Sequence, residues 1–81
     1  MNETELNDTI VAELAKIALG SDPAALDMDD NLREGLDIDS FDALNFFIAL
    51  SERLHIDIPE KDMGKLNTKG EILQYLLGLR V

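Results

Sequence analysis

Few residues in this chain could do chemistry. Residues 37–44 read DIDSFDAL and set one serine, Ser40, between Asp39 and Asp42. There is one histidine, His55, and no cysteine. A serine hydroxyl is a weak nucleophile unless a base adjoins it. If Ser40 and His55 share a helix, their fifteen-residue separation is about 22 Å of axial rise, and no hydrogen bond can join them. The sequence has no Gly-x-Ser-x-Gly elbow and no glycine-rich phosphate loop. One histidine without cysteine does not make a zinc site. A hydrolase built on Ser40 therefore lacks its other parts. Ser40 can instead be what a second enzyme modifies, or simply a helix-opening residue, a position where serine is common.

Calcium is the other chemistry that the acids invite. In an EF-hand register beginning at Asp27, the residues Asp27, Asp29 and Asn31 suit the first three ligand positions. The position that demands glycine is Leu32, and the one that demands a bidentate glutamate is Ile38. Two of the most constrained positions fail. An acidic, calcium-responsive interaction module remains as a distant reading.

Charge points toward protein partners. The net charge is −10, and residues 22–42 hold eight acids against one base, Arg33. Such a block speeds encounter with basic surfaces and repels nucleic acid and anionic lipid. No basic aromatic surface for nucleic acid is present. No apolar run is long enough to span a bilayer, and no signal peptide is visible. The expectation is a soluble cytoplasmic protein, one domain over residues 1–81, kept monomeric by its charge.

The elements that must position Ser40 follow from periodicity. Leu6, Ile10, Leu14 and Ile17 recur at helical spacing, Asn2 and Glu5 form a capping box before them, and Gly20 and Pro23 stop the helix. Residues 20–38 are a long connection whose Leu26, Met28, Leu32, Leu36 and Ile38 pin it to the body and leave room for a helical turn. A second helix starts with Asp39 as its cap and runs to about His55. Ala43, Phe46, Phe47, Leu50 and Leu54 form its broad apolar face, and Phe41, Leu44 and Ile48 a separate stripe. That stripe is either buried, as in a central helix, or a docking surface beside Ser40. A short turn at residues 60–65 and a last helix, opened by a Thr68–Glu71 capping box, complete the chain. The fold class is all-α: a small four-helix bundle, three main helices and one short, with a long first loop.

The segment GLDIDSFDALNFFIALSERLHIDIPEKDMGKLNTKGEILQYL resembles an acyl carrier protein. Asp39-Ser40-Phe41-Asp42, Ile56-Asp57-Ile58-Pro59 and Leu66-Asn67-Thr68 through Tyr75-Leu76 match in order and spacing, and the match covers residues 32–77. The resemblance implies a carrier and not an enzyme. Ser40 would take 4′-phosphopantetheine from coenzyme A through a phosphopantetheinyl transferase, and acyl groups would ride on the arm as thioesters. Asp39, Asp42 and Glu52 would attract the transferase and acyl-loading and acyl-processing enzymes with basic docking surfaces. Phe41, Leu44 and Ile48 would meet those partners. Phe46, Phe47, Leu50, Leu54 and Ile58 would form the core that shelters an acyl chain.

The chain departs from the family pattern at several positions. Phe41 replaces the usual leucine, Asp37 a frequent glycine, Gly35 a frequent acid and Asn45 a usual glutamate. Ser51-Glu52-Arg53 replaces an acidic run, and His55 a usual glycine. These departures suggest a specialised lipid, polyketide or related pathway. The Gly-Gly-x-Ser motif of peptidyl carriers is missing. A D-alanyl or other aminoacyl carrier stays open, because such proteins tolerate Asp-Ser-Phe.

Overall fold

The computed structural model describes residues 1–81, with five helices and no strand: α1 (Glu3–Ile17), α2 (Leu32–Leu36), α3 (Ser40–Leu54), α4 (Glu60–Met63) and α5 (Lys69–Gly78). The three long helices are those that the periodicity predicts, and α1 packs against both α3 and α5. Leu6, Ile10 and Leu14 of α1 are fully buried, as are Leu50 of α3 and Ile72 and Leu76 of α5. Phe46 and Phe47 sit among them with ring centroids 5.1 Å apart and a tilted 57° arrangement, which aromatic quadrupoles favour over a sandwich. α1 stops at Ile17, ahead of Gly20, which takes a φ of 93° in the turn that follows.

The long connection contains α2, a helix of five residues. It is too short to show a helical period in the sequence. Two interactions create it. The Asn31 side chain accepts the Glu34 N–H at 3.1 Å, and Leu32 and Leu36, one turn apart, are both buried. Its glycine lets the Leu26 side chain pack close, since a Cβ at Gly35 would oblige the end of that side chain to move. The connection is also tied to the segment before α5. Leu32 N–H donates to the Asn67 carbonyl at 2.8 Å and Gly70 N–H to the Met28 carbonyl at 3.0 Å. Lys69, buried at the start of α5, donates from Nζ to the Pro23 carbonyl at 2.6 Å. Burial holds the Lys69 pKa below its ordinary value, while Asp27 and Asp22 oppose the shift.

Both α2 and α3 end on a left-handed residue that is not glycine. Asp37 closes α2 at φ 53°, ψ 50°, and His55 closes α3 at φ 56°, ψ 45°. The His55 backbone N–H bonds the last carbonyls of α3. These are the two positions where the family pattern has glycine, which enters this region without steric cost. Aspartate and histidine tolerate it better than most residues.

The Thr68–Glu71 box is corrected in one respect. Thr68 Oγ1 accepts the Glu71 N–H at 3.0 Å, but the Glu71 carboxylate accepts from Asn67 N–H at 3.0 Å, one residue earlier than the box requires. α4 has no side-chain cap and buries no residue fully. It is held by Met63, half-buried against the core, and by Tyr75, whose hydroxyl donates to Asp62 Oδ2 at 2.8 Å.

Arg53 has a role that its position on the helix did not reveal. Its Nη1 donates at 2.8 Å to Oε2 of Glu13, a buried acid on α1 that also accepts from Lys16 Nζ at 2.8 Å. The Lys16 hydrogen bond first, and the Arg53 bond with it, hold the Glu13 pKa below its ordinary 4.5 against the opposing effect of burial.

Candidate functional site

Ser40 is the first residue of α3 and is exposed. The geometry that puts it there comes from its neighbours. Asp39 Oδ1 accepts the Asp42 N–H at 2.9 Å, and Asp42 Oδ2 accepts the Asp39 N–H at 3.3 Å. This reciprocal capping box uses both carboxylates on the backbone. The Ser40 hydroxyl takes no part in it, and the residue stays exposed. His55 lies at the far end of the same helix, so no imidazole can serve as base to Ser40.

A cavity of about 320 Å³ adjoins the serine, at the small end of the range for ligand pockets. Ser40, Leu44, Phe46 and Phe47 line it from α3, facing Leu32 and Met63. Its lining is mostly apolar. Of the five residues expected to shelter an acyl chain, only Phe46 and Phe47 reach it. Leu50 and Ile58 are buried in the core elsewhere, and Leu54 packs half-buried at its edge. The reason is axial: Leu50 and Leu54 lie on the correct face of α3 but one to two turns beyond the cavity. Leu32, Ile38, Met63 and Leu66 also line it. The only sequence signal for them was that they are apolar within polar segments.

The second stripe of α3 divides. Phe41 is 76% exposed and Ile48 45% exposed, with Asn45 and Glu52 exposed on the same side. Leu44 is half-buried and lines the cavity, which places it at the margin between stripe and cavity. Asp39 is exposed and Asp42 half-buried. The outward surface beside Ser40 is thus two large apolar side chains bordered by carboxylates.

The residues of the calcium-loop register are used otherwise. Asn31 caps α2, and Leu32 and Ile38 turn into the core. No three of the chain's His, Asp and Glu side chains are grouped to hold a metal ion. No helix is long and apolar enough to cross a membrane.

Residues 8–76 match the family described as "Phosphopantetheine attachment site". The chain is similar to proteins named "Acyl carrier protein" from several bacteria. With that of Campylobacter fetus it is 29% identical over 76 residues, covering 94% of this chain and 92% of the relative. With that of Renibacterium salmoninarum the identity is 30% over 73 residues, covering 86% and 90%. With that of Thermosynechococcus vestitus it is 29% over 76 residues, covering 94% and 93%.

Proposed function

The chain belongs to the phosphopantetheine-binding carrier family, and from that premise we propose that it carries acyl groups on Ser40 in a specialised lipid, polyketide or related pathway. The observation that carries the assignment of Ser40 is its setting: an exposed hydroxyl at the first position of α3, free of the capping box and adjoining an apolar cavity. The residues fit the prosthetic group. An exposed hydroxyl can be reached by a transferase, and the helix start presents partial positive charge to a phosphate. When bound, the group supplies the thiol on which acyl chains form thioesters.

The remaining roles fall to the chain's own surface. Phe41 and Ile48, with Leu44 at the margin, offer the apolar contact, and Asp39, Asp42 and Glu52 the charge that draws basic-faced enzymes. These enzymes would include a phosphopantetheinyl transferase and the enzymes that load and process the acyl group. Leu32, Phe46, Phe47 and Met63 form the apolar wall against which an acyl chain can lie. We read the whole of residues 1–81 as one carrier domain, monomeric and cytoplasmic, a location that coenzyme A-dependent modification suits.

Specialisation rests on fewer residues than the sequence suggested. Asp37 and His55 are helix caps, Gly35 accommodates Leu26, and Arg53 is engaged by Glu13. Ser51 is half-buried and donates to the Phe47 carbonyl at 2.8 Å. Only Phe41 and Asn45 remain as exposed departures on the docking side.

Co-expression with a broad phosphopantetheinyl transferase tests the assignment. The intact mass of the wild-type chain should rise by one phosphopantetheine and that of Ser40→Ala should not. A wild type left unmodified by several transferases overturns the proposal. Specialisation has its own check. Loading and elongation by fatty-acid synthase enzymes should be slower than for a housekeeping carrier, and equal rates would refute it.

A further inference from the structure

Arg33 is a charged residue in the connection before α3 to which the carrier reading gives no role. It is the single lysine or arginine between Lys16 and Arg53. It lies on α2, is exposed, and lines the same cavity as Ser40. Its backbone is held firmly. The Arg33 carbonyl accepts from the N–H groups of Asp37 and Ile38, and its neighbours Leu32 and Leu36 are buried. Yet its guanidinium forms no ion pair, in the most acidic stretch of the chain: the two salt bridges of the molecule belong to Glu13, Lys16 and Arg53. The nearby carboxylates of Asp39 and Asp42 are turned onto the backbone of α3.

A phosphodiester on Ser40 would place a further negative charge between those two aspartates. Like charges at such close range repel, and no other cation lines the cavity. A guanidinium is the side chain best shaped to meet two phosphate oxygens at once. We propose that Arg33 is the positioning residue for the phosphodiester formed on Ser40, pairing with its oxygens and setting the arm across the cavity on the α2 side, away from Phe41. This rests on the carrier reading of Ser40 and adds a residue to it. The pairing starts from a fixed backbone and a guanidinium in no ion pair, so no existing salt bridge has to break when the group is attached.

The test compares apo and phosphopantetheinylated forms of wild type, Arg33→Gln and Arg33→Lys, with intact mass verifying each. In wild type, the Arg33 Nε–Hε resonance should shift on modification. At low salt, the change in Tm from apo to modified form should be about 2–4 °C less favourable in Arg33→Gln than in wild type. Arg33→Lys should recover only part of that difference, since it restores the charge but not the two-pronged fork, and about 1 M salt should erase it. The proposal is overturned if all three proteins are fully modified, the Tm changes agree and the Nε–Hε resonance stays in place. The resonance is read on wild type, so a failure of Arg33→Gln to fold leaves that arm decisive. A wild type that gains no mass removes the carrier reading itself, and this proposal with it, through a separate measurement.

Discussion

The left-handed caps show how single residues can depart from a family pattern for conformational reasons. His55 holds φ 56° and Asp37 φ 53°, a region that costs an ordinary L-residue roughly 1–2 kcal/mol and glycine nothing. Part of that gain is returned because glycine has more freedom to lose on folding. His55→Gly should therefore stabilise the chain by about 0.5–1 kcal/mol, and Asp37→Gly by less, because aspartate bonds locally in this region. Thermal melts of the two variants against wild type measure this. A lowered Tm for His55→Gly would mean that the imidazole makes a contact worth more than the backbone strain.

At the scale of elements, one buried acid braces α1 against α3. Glu13 is 3% exposed at its side chain, while its partners Lys16 and Arg53 are 67% and 47% exposed, so solvent screens the pairs and their worth is modest. The sign of the pH effect still follows. The folded pKa of Glu13 lies below its ordinary 4.5, so the native state holds fewer protons there than the unfolded chain. The stabilisation is fully present above pH 4.5 and is lost as pH falls through the lower folded value. Glu13→Gln should flatten the fall in stability below about pH 4.5 relative to wild type, as read from urea midpoints across the acid range. Identical slopes would show that the pair contributes nothing. The start of α3 is a second element-scale test. Asp39→Ala removes the acceptor for the Asp42 N–H and should cost about 1 kcal/mol, with Tm lower by about 4–8 °C.

For the whole molecule, charge and shape act together. The net charge is −10, and the base-poor stretch surrounds the serine that partners must approach. Self-association through the Phe41 and Ile48 surface would bring two such acidic borders together, so repulsion opposes it. Light scattering at physiological salt should give the mass of one chain independent of concentration. A mass that rises with concentration would show that the apolar stripe outweighs the charge. The same balance should make encounter with basic-faced enzymes slow as salt is raised.

The sequence by itself determined the three long helices, their caps at Asn2 and Asp39, the position of Ser40 at a helix start, and membership of a carrier family. These are local or ordered signals: a period of 3.6, a capping residue at fixed spacing, a series of motifs in register. Only the tertiary structure decided which apolar residues wall the cavity beside Ser40. That set is drawn from α1, the first connection, α3, α4 and the segment before α5, and residues on one helix face, such as Phe47 and Leu54, separate along its axis. It also decided that Arg53 turns inward to Glu13 while Arg33 stays unpaired, because an arginine's partner is set by which elements meet in space, and no spacing along the chain records that.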